Sequence, residues 1–201
     1  MKQIDFDHGT VIGNILGAAL PMLVAQILSL LYNIVDRIYI ARIPSVGTTA
    51  LGAVGLCFPI IVIITAFSNL FGSGGAPLFS INRGKGNIKK AEVIMNTSFS
   101  MLCICGVALM VIGMLFASPI LVLFGASEEG LSYAYPYMMI YLIGTVPSMI
   151  ATGMNPFINA QGYATSGMLS VTIGAVANLI LDPLFIFGLN LGIKGAAIAT
   201  I

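Results

Sequence analysis

Charged residues are scarce in this chain of 201 residues. Asp, Glu, Lys and Arg together make up 7% of it, and hydrophobic residues make up 58%. An ordinary soluble domain carries about 25% charged residues. This balance excludes a soluble globular protein and predicts a polytopic membrane protein.

The chain also lacks the motifs of nucleotide and metal chemistry. Its three cysteines, Cys57, Cys103 and Cys105, all lie in apolar stretches, and an odd number so placed gives no disulfide framework. The glycine-containing segments 72–75 and 83–86 lack the Gly-Lys-Ser/Thr ending of a phosphate-binding loop. We therefore expect a protein that is not an enzyme, uses no cofactor and binds no nucleic acid.

Apolar stretches and short connectors alternate along the whole chain, which predicts an all-α bundle in a single domain, residues 1–201. Each stretch reaches the ~20 residues that a helix needs to cross a bilayer. A sixth stretch begins after Lys194. We expect five full transmembrane helices and the start of a sixth. The five stretches cover residues 11–41, 50–82, 93–124, 133–160 and 167–191.

The basic residues predict how the chain is oriented. Four of them lie between the second and third stretches, at Arg83, Lys85, Lys89 and Lys90, whereas the next connector carries acids and no base. Because loops rich in Lys and Arg stay in the cytoplasm, we expect a plasma-membrane protein with a cytoplasmic amino terminus. The second stretch is longer than the bilayer is thick, so its helix must tilt, project beyond the bilayer or bend. A bend would cost least at the glycine-containing residues 72–75.

Two acids are embedded in apolar stretches, Asp36 in the first and Asp182 in the fifth. A carboxylate inside a membrane costs several kcal/mol unless it is used, so each marks a candidate functional site. Asn178 lies four residues before Asp182 and therefore shares its helix face, and Pro183 removes a backbone N–H beside them. This cluster predicts a site for Na⁺ or for a proton held by a desolvated carboxyl group.

Several segments together resemble the multidrug and toxic compound extrusion (MATE) family. They are YNIVDRIYI at 32–40, GSGG at 72–75, NLILDPLFIF at 178–187 and GIKGAA at 192–197. The resemblance implies a lobe of a twelve-helix transporter that exchanges cationic, amphipathic drugs for H⁺ or Na⁺. On this interpretation the chain is the amino-terminal lobe, truncated in the sixth helix, and it works with a carboxy-terminal lobe and membrane lipid as partners.

The resemblance also assigns roles to particular residues. Asp36, Asn178 and Asp182 match the acids and amide implicated in cation coupling. The polar groups of the amino-lobe cavity fall at Tyr137, Asn155 and Thr200, and Gln26 is a weaker candidate for the same cavity.

Three other functions remain open from the sequence. A flippase for lipid-linked saccharides needs a cavity rich in Arg and Lys, and here Arg37 alone lies within a span. An intramembrane aspartyl protease also uses two membrane acids, but its Tyr-Asp and Gly-x-Gly-Asp motifs are absent from both positions. The third alternative is a half-protein that assembles with a partner lobe and does not transport.

Overall fold

The computed structural model describes residues 10–201, and every regular element in this part of the chain is helical. The predicted all-α class is therefore confirmed. The elements are α1 Val11–Ala41, α2 Gly47–Gly84, α3 Ile88–Leu123, α4 Glu128–Ile143, α5 Thr145–Ala160, α6 Ala164–Pro183, the π-helical segment Leu184–Gly188 and α7 Ile193–Thr200.

Length and composition allow four helical segments of the described chain to cross a membrane. They are α1, α2, α3, and α6 together with the π-helical segment. Helices α4 and α5 pass the same test as a pair bent by 57°. Counted as one broken span, this pair gives the predicted five spans. The eight residues of α7 follow them, and their assignment to a sixth span stays a prediction.

The fourth span differs from the single stretch that the sequence predicts over 133–160. It breaks at Gly144, between α4 and α5. Pro147 has no N–H to donate to the Ile143 carbonyl, so the helical ladder is interrupted there. The Gly144 N–H instead bonds the Tyr141 carbonyl at 3.1 Å, and the side chain of Ile201 occupies the space where a Cβ of Gly144 would stand.

Side-chain caps define the beginnings of three helices. In each case a side-chain oxygen accepts a hydrogen bond from the backbone N–H three residues on. The caps are Thr10 before α1 at 3.2 Å, Asn87 before α3 at 3.2 Å and Ser127 before α4 at 3.1 Å. Each such cap stabilises its helix by about 1 kcal/mol relative to alanine.

Glycines allow α2, α3 and α5 to pack closely. Residues 72–75 were the predicted bending point of the second span, yet α2 continues through them as one helix. A Cβ at Gly72 would collide with the backbone of Gly153 on α5, and a Cβ at Gly75 would lie 2.8 Å from the Phe157 ring. Small residues at such contacts let helix backbones approach in membranes. These glycines therefore serve packing.

Helix α1 packs chiefly against α6, whereas α2 packs chiefly against α3 and α5. Along α1, which is described over its full length, Ala25 and Ile40 are the buried residues, side chains such as Tyr39 are partly buried, and the exposed apolar side chains face outward. In a membrane those side chains contact lipid or another helix. The pairing of α1 with α6 brings the two intramembrane acids to the same end of the bundle.

Candidate cation site between α1 and α6

The site is built from the last turns of two paired helices. Asp36 lies in the second-last turn of α1, and Asp182 is the penultimate residue of α6. After Pro183 the chain continues as the π-helical segment Leu184–Gly188, with the Leu189 N–H bonded to the Leu184 carbonyl at 2.9 Å. Single π-helical turns are frequent at functional sites in helices.

The amide of Asn178 orients Asp182. With its nitrogen turned toward the acid, Asn178 donates hydrogen bonds to Asp182 Oδ1 at 2.9 Å and to Oδ2 at 3.2 Å. Asp182 is 1% exposed and Asn178 is 7% exposed, so both groups are removed from bulk solvent. This contact confirms that the two residues share one face of the helix, as their spacing predicts.

Asp36 on α1 and Asp182 on α6 face each other closely enough across the helix interface for their carboxyl groups to interact. Two negative charges at this separation would repel in a low dielectric. The pair is therefore compatible with one added positive charge, whether a proton or a metal cation.

One oxygen of the pair has a remaining coordination position. Asp36 Oδ1 is buried, and no hydrogen-bond donor within residues 10–201 reaches it. A carboxylate oxygen in this position is a ligand that Na⁺ accepts, and Asp182 supplies further oxygens nearby. Over the same residues, no three His, Cys, Asp or Glu side chains gather as a transition-metal site would require. The donor set fits a proton or Na⁺.

Two tyrosines lie near the acid pair. Tyr137 on α4 is 3% exposed and interacts electrostatically with Asp36. Its ring stacks on that of Tyr141, with centroids 6.4 Å apart and an angle of 15° between the planes. Tyr32 on α1 interacts with both acids. Tyr137 was predicted for the cavity, and that role stays a prediction.

Two of the other predicted cavity residues, Asn155 and Gln26, lie away from the acids. Asn155 donates to the Gly167 carbonyl at 3.1 Å, and Gly167 lies about 22 Å from Asp182 along α6. Gln26 is exposed on α1, about 15 Å from Asp36 along the same helix. Thr200 donates to the Ala196 carbonyl at 2.9 Å within its own helix. Their assignment to a drug cavity stays a prediction.

Arg37 does not face the acids as a bonded partner of Asp36. Its guanidinium lies over the ring of Phe58 on α2, 5.6 Å from the ring centroid. Such a cation–π contact is worth about 0.5–1 kcal/mol at an exposed site. Arg37 thus contacts another helix, α2.

Comparison with known proteins agrees with this architecture. The family model MatE matches residues 21–184. The FAD transporter of Shewanella oneidensis is 31% identical over 191 residues, which are 93% of this chain and 42% of that protein. The multidrug export protein MepA of Staphylococcus haemolyticus is 29% identical over 195 residues, which are 97% of this chain and 43% of that protein.

A solved structure shares the fold. The outward-facing conformation of a multidrug resistance MATE family transporter of the MOP superfamily superposes with a TM-score of 0.86 at 27% identity, covering 92% of this chain and 41% of that chain. The chain thus spans less than half the length of the relatives it matches. The family model matches residues 21–184, which is most of the chain. The protein therefore belongs to the MatE family.

Proposed function

We propose that this chain is the amino-terminal half of a cation-coupled multidrug efflux antiporter. The observation that carries the proposal is the pair of carboxyl groups, the partly buried Asp36 and the buried Asp182, between two membrane-spanning helices, with Asn178 bonded to Asp182. A charge so placed is expensive in hydrocarbon, and transport of a cation is a use that accounts for it. The family membership supports the same interpretation.

The pair can couple two ligands because its charge depends on its occupancy. With a proton or Na⁺ bound, the repulsion between Asp36 and Asp182 is relieved and α1 packs stably against α6. Without the cation, the two carboxylates repel and the α1–α6 contact weakens. A drug that favours one of these states and a cation that favours the other will exchange across the membrane. Alternating access further requires a second lobe, which we propose to be the carboxy-terminal partner.

We propose cationic, amphipathic drugs as substrates, supported by the likeness to a multidrug export protein. A flavin dinucleotide is the second candidate, because a relative that is 31% identical is named an FAD transporter. The two differ in charge, so uptake into inverted vesicles separates them. Accumulation of a cationic dye supports the first substrate class, and accumulation of FAD without dye supports the second.

The charge distribution supports the proposed orientation in the plasma membrane. The exposed bases Lys85, Lys89 and Lys90 lie at the α2–α3 end of the bundle, and the exposed acids Glu128 and Glu129 begin α4 at the opposite end. Because Lys and Arg are biased toward the cytoplasm, we propose that the first end, and with it the amino terminus, lies inside.

The test is export of a cationic dye from cells that express the complete gene. Asp182→Asn keeps the size of the side chain but removes its ionisation, so export should fall to background. Glu92→Gln removes an exposed carboxylate from α3 and is the matched control, for which export should stay at the wild-type level. Full export by a well-expressed Asp182→Asn protein would show that the proposed coupling site is wrong.

A further inference from the structure

Half of the basic residues of the chain lie in one short segment. Four of the eight Lys and Arg residues fall within 83–90, which we call the basic hairpin. It comprises the end of α2, the connector and the first turn of α3. Its three lysines are exposed and Arg83 is partly exposed. The nearest acid in sequence is Glu92, in the next turn of α3. The hairpin itself contains no acid and therefore keeps a strong positive charge.

The backbone of the basic hairpin is held in a defined turn. The Asn87 N–H bonds the Asn82 carbonyl at 2.9 Å, and the Asn87 side chain caps the Lys90 N–H at 3.2 Å. Gly86 takes a φ of 75°, a left-handed conformation that suits glycine. The lysine side chains therefore start from fixed backbone positions.

A small apolar cluster anchors the hairpin to α5. Ala76 and Phe79 from α2, Ala91 from α3 and Phe157 from α5 are all buried and pack together. The rings of Phe79 and Phe157 meet edge to face, with centroids 5.6 Å apart. The backbone that carries these cations is therefore fixed by packing among three helices. A bound ligand then has to immobilise less of the chain, which lowers the entropic cost of binding.

Exposed apolar side chains flank the cations on both helices. On α2, Leu78 is 54% and Ile81 is 52% exposed, and on α3, Ile88 is 51% and Val93 is 62% exposed. In a bilayer these side chains face acyl chains. Cations at the membrane surface can bind an anionic headgroup, and apolar side chains beside them can contact a hydrocarbon tail. The segment is therefore complementary to a molecule that has both.

We propose that the basic hairpin binds the headgroup of an anionic phospholipid, with the acyl chains lying along α2 and α3. Lys89 and Lys90, adjacent at the start of α3, and Lys85 across the turn supply the phosphate contacts. Clusters of four or more Lys and Arg next to a membrane span attract anionic headgroups with about 1 kcal/mol per cation.

The test compares lipid retention by the purified full-length protein in detergent. Phosphatidylglycerol and phosphatidylcholine of the same acyl chains are titrated, and bound lipid is counted by native mass spectrometry. Lys89→Gln with Lys90→Gln removes two cations from the hairpin. Arg42→Gln with Lys194→Gln removes two exposed cations from the opposite end of the bundle and is the matched control. Lys89→Arg with Lys90→Arg keeps the charge.

The wild-type protein should retain phosphatidylglycerol in preference to phosphatidylcholine. The Gln pair in the hairpin should weaken phosphatidylglycerol binding by about thirtyfold, whereas the Arg pair and the control at the opposite end should bind as the wild type does. Raising the salt to about 1 M should weaken binding, because it shortens the screening length to about 3 Å. Unchanged retention by the hairpin Gln pair, equal loss in the control, or displacement of the lipid by equimolar inorganic phosphate would overturn the proposal.

Discussion

The contact between Gly72 on α2 and Gly153 on α5 allows a sharp test of the packing. A Cβ added at Gly72 would lie 2.8 Å from Gly153 Cα and closer still to the Gly153 carbonyl oxygen. Ordinary contacts begin at 3.4 Å, so Gly72→Ala must separate the two backbones by at least 0.6 Å. Neither neighbour is the end of a flexible side chain, so the strain cannot be relieved by a rotamer change.

Gly74→Ala is the matched control for this substitution. It lies on the same helix two residues away, and its added Cβ would meet nothing within 4 Å. Both substitutions gain the same helix propensity, about 1 kcal/mol, so the difference between them isolates the packing. Overpacking costs about 1–3 kcal/mol. At about 2–4 °C per kcal/mol for a chain of this size, Gly72→Ala should melt on the order of 2–12 °C below Gly74→Ala.

Thermal unfolding can be followed with a thiol-reactive fluorophore in detergent, with the partly exposed Cys103 and Cys105 replaced by Ser in every variant. Cys57 is fully buried at 0% exposure, and it becomes reactive only when the α2 packing opens. Equal melting temperatures for the two alanine variants would refute the close approach of α2 and α5. A lower melting temperature for Gly74→Ala would also contradict it.

Two further substitutions test neighbouring contacts by the same melting assay. Asn178→Ala removes both hydrogen bonds to Asp182 and should lower the free energy of unfolding by about 1.5–3 kcal/mol. The control Asn33→Ala, on an exposed face of α1, should change it by less than about 0.5 kcal/mol. Equal effects of the two substitutions would argue against the Asn178 contact. Gly153→Ala places a Cβ 2.6 Å from a methyl group of the buried Leu102 and should therefore lower the stability. Adding Leu102→Ala should partly restore the stability, whereas additive losses of stability in the double variant would contradict the contact.

Much of the architecture could be predicted because hydrocarbon imposes simple rules on a sequence. Spans follow from apolar length, and the shared face of Asn178 and Asp182 follows from helical spacing. The contact between Asp36 and Asp182 could not be derived in this way. It depends on α1 packing against α6, two helices far apart in sequence, and hydropathy does not say which spans are neighbours.

The break at Gly144 and the role of Gly72 were not predicted for a related reason. A glycine in an apolar run is compatible with a bend or with close packing, and the partner helix decides which applies. Gly144 together with Pro147 was a readable signal for a break, since one lacks a Cβ and the other lacks an N–H. Gly72 carried no such signal, because its partner Gly153 lies on another span.

In the proposed mechanism, Asp36 and Asp182 share a cation that substrate binding displaces. The most direct measurement is the release of H⁺ and Na⁺ when a cationic drug is added to the purified full-length protein in weakly buffered detergent. The wild type and the Glu92→Gln control should release one of these ions on drug addition, whereas Asp36→Asn and Asp182→Asn should release neither. Release at the wild-type level by a folded Asp182→Asn protein would contradict the account.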